Sequence, residues 1–169
     1  RRVLERMLPY FTETFGNPAS STHQWGWKAQ QAVEQARREV SQLIGASPRE
    51  IYFTSGATES NNLAMQGVCG LADAGRRHLV VSAIEHKSVL EGAERSERHG
   101  WRTTVVPVGR DGVIDLADLE RAVGPETALV SVMAANNEIG VVQPLAEIGA
   151  IARRAGAIFH VDAAQAVGK

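Results

Sequence analysis

Asp162 and Gln165 follow an apolar run, Ala157 to Val161, that reads as a buried strand. A carboxylate at the carboxyl end of such a strand sits where open α/β sheets take their ligands. Among apolar neighbours its charge is costly unless a cation meets it, and a protonated ring nitrogen would serve. Far upstream, Ser55-Gly56-Ala57-Thr58 reads as a helix start in which a glycine lets the backbone turn sharply. Its free N–H groups and the Thr58 hydroxyl can hold an anion without a lysine. Together the two stretches describe a pocket for a ligand with a phosphate at one end and a cationic nitrogen at the other. Each has a plainer alternative, since Thr58 and Asp162 can both serve as helix caps.

Two further stretches follow strand-like runs. His86, in Ile84-Glu85-His86-Lys87-Ser88-Val89, falls at a helix start, where an imidazole can stack on an aromatic ring and move protons near neutral pH. Asn136-Asn137-Glu138-Ile139-Gly140 offers amides that can donate to a phenolate oxygen or a carboxylate. Their alternatives are a surface histidine and a polar turn. His160 and Asp162 share the spacing of some iron sites with two histidines and one carboxylate, but no second histidine follows in the chain. Neither a Walker A loop nor a Gly-x-Gly-x-x-Gly fingerprint occurs.

These groups need a scaffold that brings strand ends together. Trp25, Ala29, Ala32, Val33, Ala36, Val40, Leu43 and Ile44 recur at helical spacing, closed by Gly45 and Pro48, after a loop of turn formers from Phe15 to Ser21. A short buried strand is expected over Ile51 to Thr54, leading into a helix that carries Leu63, Ala64 and Val68. Strands are expected at 78–82, 102–107, 129–133 and 157–161, with helices near 88–98, 116–123 and from Pro144 to Gly156, and a turn at 109–112. Such alternation predicts an α/β fold, a three-layer αβα arrangement about a mainly parallel sheet with the strand ends on one edge.

The 169 residues are 44% hydrophobic with a net charge of −1, enough for a domain with a sizeable core. The arginine pairs at 37–38, 76–77 and 153–154 are scattered, which argues against a nucleic-acid footprint and suggests solvated helix faces. The single Cys69 excludes an internal disulfide and a cysteine-rich zinc site. It lies on the helix after the Thr58 loop, where a packed cysteine is expected. No apolar run reaches membrane length, so cytoplasmic residence without membrane association is the expectation.

Four ordered stretches resemble a known family. Phe53-Thr54-Ser55-Gly56-Ala57-Thr58-Glu59-Ser60-Asn61-Asn62, Glu85-His86-Lys87-Ser88-Val89, Asn136 to Gln143, and His160-Val161-Asp162-Ala163-Ala164-Gln165 are similar to the cysteine desulfurases. The resemblance is to their NifS/IscS-like branch, in the class-V aminotransferases among the fold-type-I enzymes that use pyridoxal 5'-phosphate (PLP). Gly16 to His23 resembles the early loop of that branch.

The resemblance implies that Ala57 and Thr58 bind the PLP phosphate, that His86 stacks on the ring and assists proton transfer, and that Asp162 pairs with the ring nitrogen. It implies that Gln165 donates to the phenolic oxygen and that Asn137 lies near that oxygen and the substrate carboxylate. It further implies conversion of L-cysteine to L-alanine, with sulfur passed to an enzyme cysteine as a persulfide for iron–sulfur cluster assembly. A homodimer and a sulfur-accepting or scaffold protein are the implied partners. The chain is expected to be part of a PLP-binding large domain. The Schiff-base lysine, the nucleophilic cysteine and the C-terminal small domain would then lie outside these residues, with neither Lys87, Lys169 nor Cys69 taking those parts. Another fold-type-I enzyme, an aminotransferase or selenocysteine lyase, and a non-catalytic phosphate-binding module remain as alternatives.

Overall fold

Four parallel strands carry the chemistry-bearing loops: β1 (His78–Ser82), β2 (Arg102–Val106), β3 (Thr127–Ser131) and β4 (Ile158–His160), in the order β2-β1-β3-β4. They are seen in a computed structural model that describes residues 1–168, so Lys169 lies outside the described residues. The chain forms two units, Arg1–Phe53 and the remainder from Thr54.

In the first unit, α1 (Arg2–Thr12) has no counterpart in the sequence expectation, while α2 (Gln24–Ile44) matches the predicted helix. His23 caps α2, its Nδ1 accepting from the Gly26 N–H, and Gly45 closes it in the left-handed conformation at φ 69°. Gly26 has a steric reason: an added Cβ would lie 1.8 Å from the Ser20 carbonyl oxygen, so only glycine lets the preceding turn pack there. The expected strand at Ile51 to Thr54 does not form. The Ile51 carbonyl accepts from the Arg37 guanidinium, which lies 5.1 Å from the Phe53 ring centroid, and Tyr52 and Phe53 are exposed. Apolar character there mimics a strand, but backbone pairing is taken up by a side chain instead.

The second unit contains α3 (Ala57–Leu71), α4 (Lys87–Glu97), α5 (Leu116–Ala122) and α6 (Leu145–Arg154). Alternation along the strands divides the core into two layers. Val80, Val106 and Val130 pack with Leu119 of α5 and Ile148, Ile151 and Ala152 of α6. Leu79, Val81 and Leu129 pack with Met65 of α3 and with Val89 and Ala93 of α4. The three-layer prediction therefore holds, and β1 and β3 are buried along their whole length, as a parallel sheet covered on both faces requires.

Details differ from expectation. β3 starts and ends two residues before the predicted run, with Ala128 skipped by the ladder to β1. Pro144 caps α6 instead of opening it. On α3 the buried positions are Asn61 and Met65, whereas Leu63 is exposed, because the helix turns the 61–65 stripe and not Leu63 toward the sheet. Arg76 is no solvated helix-end residue: its guanidinium donates to the carbonyls of Thr127 and Ala155. Among the described residues no helix is long and apolar enough to cross a membrane.

Candidate functional site

From β1 the chain passes outward to β2 and then returns across β1 to β3, so the order reverses between β1 and β3. Ligand crevices form beyond the carboxyl ends of strands at such a point. The loops that leave β1, β3 and β4 there carry His86, Asn137 and Asp162 respectively. Thr58 follows no strand, but its helix is brought to the same edge by a side-chain bond.

That bond joins Asn61, on α3, to Asp162: Nδ2 lies 2.8 Å from Oδ2 across a sequence separation of 101. The N-terminal turns of α3 and the acid after β4 thus belong to one locality. Asp162 is 8% exposed. Its Oδ1 accepts the Ala164 N–H at 3.0 Å, so the expected local turn is present, while Oδ2 faces Asn61. No lysine or arginine forms an ion pair with Asp162 among the described residues.

At the start of α3, Gly56 is the N-cap residue and supplies no side-chain cap, which removes the alternative of Thr58 as the cap. The first N–H groups of a helix have no intrahelical acceptor and point beyond its end. Gly56 is fully extended, at φ 165° and ψ 175°, so the expected sharp turn does not account for the glycine. A Cβ built there would meet nothing within 4 Å, so no neighbour crowds that position. Ala57 and Thr58 are exposed.

His86 is exposed and caps α4, its Nδ1 accepting the Ser88 N–H at 3.2 Å and lying 2.8 Å from Ser88 Oγ. Asn137 is exposed on the turn after β3. Its neighbour Asn136 does the structural work there: Nδ2 donates to the Ile84 carbonyl at 2.9 Å, and Oδ1 accepts from the N–H groups of Glu138 and Ile139. Gln165 is exposed in the turn after Asp162.

Sequence reading missed Asn61, Ser88 and Glu85. Glu85 is buried at the switch point, its Oε1 accepting the Met133 N–H at 2.7 Å and its Oε2 the Ser131 hydroxyl at 3.4 Å. Burial pushes its carboxyl up to about 8, the Met133 N–H opposes the rise, and the Asp162 charge adds to it. The Ser131 hydroxyl also lies 2.9 Å from His160 Nδ1. Burial lowers the pKa of His160, while Asp162 works the other way. No periodic signal in the sequence marks Asn61, whose burial on α3 is set by the fold.

Cys69 lies on α3, its Sγ 3.6 Å from Ser96 Oγ, and burial raises its thiol pKa. A raised pKa disfavours the thiolate that nucleophilic attack requires.

The aminotransferase class-V family model matches residues 1–169. The chain is 56% identical over 168 residues to the cysteine desulfurase IscS of Anaeromyxobacter sp. (strain K), covering 99% of this chain and 42% of that protein. A solved NifS-like protein superposes with a TM-score of 0.93 at 41% identity, over 99% of this chain and 46% of the other. A solved structure of SspA in complex with cysteine gives 0.89 at 40% identity, over 98% of this chain and 48% of the other. The chain therefore spans less than half the length of each of these proteins. Matched along its whole length and sharing the parallel sheet of these structures, the chain belongs to the aminotransferase class-V family, on its NifS/IscS-like branch.

Proposed function

We propose that this chain is the cofactor-binding part of a PLP-dependent cysteine desulfurase, in which L-cysteine becomes L-alanine and its sulfur joins an enzyme cysteine thiol as a persulfide. Family membership implies PLP use. The observation that carries the assignment is the Asn61–Asp162 bond, because it sets an uncapped helix N-terminus and a buried acid in one locality. Cysteine as substrate is supported by the similar solved protein SspA, which is in complex with cysteine.

The donor set fits the cofactor. The uncapped α3 N-terminus with the Thr58 hydroxyl suits a phosphate, and no neighbour crowds the Cβ position of Gly56. Asp162, buried and without an ion pair among the described residues, suits a ring nitrogen that carries a proton. When bound, PLP supplies an electron sink for bonds broken at the substrate α-carbon. Asp162 would keep a proton on the ring nitrogen, and His86 would lie over the ring. Gln165 would donate to the phenolic oxygen, and Asn137 would bind that oxygen and the substrate carboxylate. A homodimer, and a protein that accepts the sulfur for iron–sulfur cluster assembly, complete the proposal.

Titration of the chain with PLP, followed by phosphorus NMR, tests the cofactor assignment. A bound phosphate resonance is expected, and its absence at millimolar PLP would reject it. Product analysis of the enzyme containing the chain tests the reaction. Alanine formed with sulfur transfer is expected, whereas a keto acid formed by loss of the amino group would mean amino transfer instead.

A further inference from the structure

Two buried side chains, Asn61 and Ser88, link the two residues assigned to the ring, buried Asp162 and exposed His86, through a chain of hydrogen bonds. Asn61 is 3% exposed and Ser88 6%. Asn61 Nδ2 lies 2.8 Å from Asp162 Oδ2 and 3.0 Å from Ser88 Oγ. Ser88 Oγ lies 2.8 Å from His86 Nδ1, and the Ser88 N–H donates to the same nitrogen at 3.2 Å.

The directions of these bonds follow from what each group can give. An amide nitrogen has two protons and no lone pair to offer, so Asn61 donates one proton to Asp162 and the other to Ser88. Ser88 Oγ, already accepting, has its own proton left for His86. Nδ1 also receives a backbone N–H, so it must be the bare nitrogen of the ring. A neutral His86 then carries its proton on Nε2.

On the functional assignment above, we propose that Asn61 and Ser88 are positioning residues that transmit the orientation of the Asp162 carboxyl to the His86 ring and hold its proton at Nε2. Asp162 fixes the face that the Asn61 amide presents, the amide fixes the Ser88 hydroxyl, and the hydroxyl fixes the imidazole tautomer. His86 therefore offers the site a donor at Nε2, while Nδ1 is committed to α4. Asp162 and His86, which would hold the ring nitrogen and the ring face, are thereby linked through Asn61 and Ser88.

The test is nitrogen NMR of the histidine rings in the cofactor-free chain at mildly alkaline pH, with His86 assigned by its loss in His86→Gln. The expected wild-type pattern is an unprotonated, hydrogen-bonded Nδ1 and a protonated Nε2. Ser88→Ala and Asn61→Leu should each move the Nδ1 resonance toward that of a nitrogen with fewer donors. Ser88→Thr, which keeps the hydroxyl, should leave it in place. In the Ser88→Ala background, Asn61→Leu should add no further shift, since its influence runs through Ser88. An averaged tautomer in the wild type, or an unmoved Nδ1 in Ser88→Ala, would overturn the proposal. If Asn61→Leu does not fold, the Ser88→Ala and Ser88→Thr pair still decides. Adding PLP separates the two assignments. Bound PLP with unmoved variants removes the relay and leaves the cofactor site, whereas a confirmed relay without PLP binding removes the cofactor site alone.

Discussion

Glu85 Oε1 accepts the backbone N–H of Met133 at 2.7 Å, tying the loop after β1 to the segment just after β3 across the point where strand order reverses. The acid is 6% exposed, so the bond that joins these two loops comes with a buried carboxyl.

Stability should therefore fall as pH rises toward 8. The folded-state value of about 8 lies above the ordinary 4.5, so between these values the folded chain holds a proton that the unfolded chain has lost. Unfolding then releases that proton, and stability decreases with pH over this window, by on the order of a few kcal/mol in total. Glu85→Gln keeps an acceptor for Met133 and removes the titration. Its melting temperature should exceed that of the wild type at pH 8.5, with a flatter profile in calorimetry, and equal pH profiles would refute the cause.

On the acid side, His78 should contribute to a loss of stability. It is buried at the start of β1, its Nδ1 2.9 Å from Thr127 Oγ1 and its Nε2 2.8 Å from Thr104 Oγ1, so one ring bridges β2, β1 and β3. Burial lowers its pKa from 6.5, with the Arg102 charge acting the same way. The unfolded chain takes up the proton first as pH falls below 6.5, so this contribution to stability is lost from there downward. His78→Leu leaves both threonine hydroxyls without the ring and should cost about 2–4 kcal/mol in urea unfolding. A loss below about 0.5 kcal/mol would show that the bridge contributes little.

Thr58 and Asp162 should separate in their effects on PLP. Thr58→Ala removes one phosphate donor and should weaken binding about tenfold, measured by equilibrium dialysis, with the ring nitrogen unchanged. Asp162→Asn should instead lose the protonated signature of nitrogen-labelled PLP while the phosphate stays bound. Equal, small effects from both would count against this division of roles.

Gln143 clamps two loops. Its Oε1 accepts the Ile114 N–H at 2.9 Å and its Nε2 donates to the Gly112 carbonyl at 2.8 Å, at 3% exposure. Gln143→Leu strands both backbone groups and should cost about 2–4 kcal/mol. Amide hydrogen exchange at Ile114 should accelerate with it, and unchanged protection there would mean that the clamp is dispensable.

Much of the architecture was legible in the chain itself. Strand and helix alternation, the left-handed Gly45 and the turn closed by Gly112 onto Gly109 are local matters of periodicity and backbone freedom. The types and order of Ala57, Thr58, His86, Asn137, Asp162 and Gln165 are likewise a property of the sequence, and the sheet brings the loops that carry His86, Asn137 and Asp162 to one edge. The run from Ile51 to Thr54 misled, since a strand exists only where a neighbour completes its ladder, and Arg37 took the Ile51 carbonyl instead. Tertiary structure alone decided that Asn61 would meet Asp162 across a sequence separation of 101, and that Glu85 would reach Met133. Long-range polar bonds leave no periodic trace. A buried amide or acid looks like any surface residue until the sheet brings its partner within 3 Å.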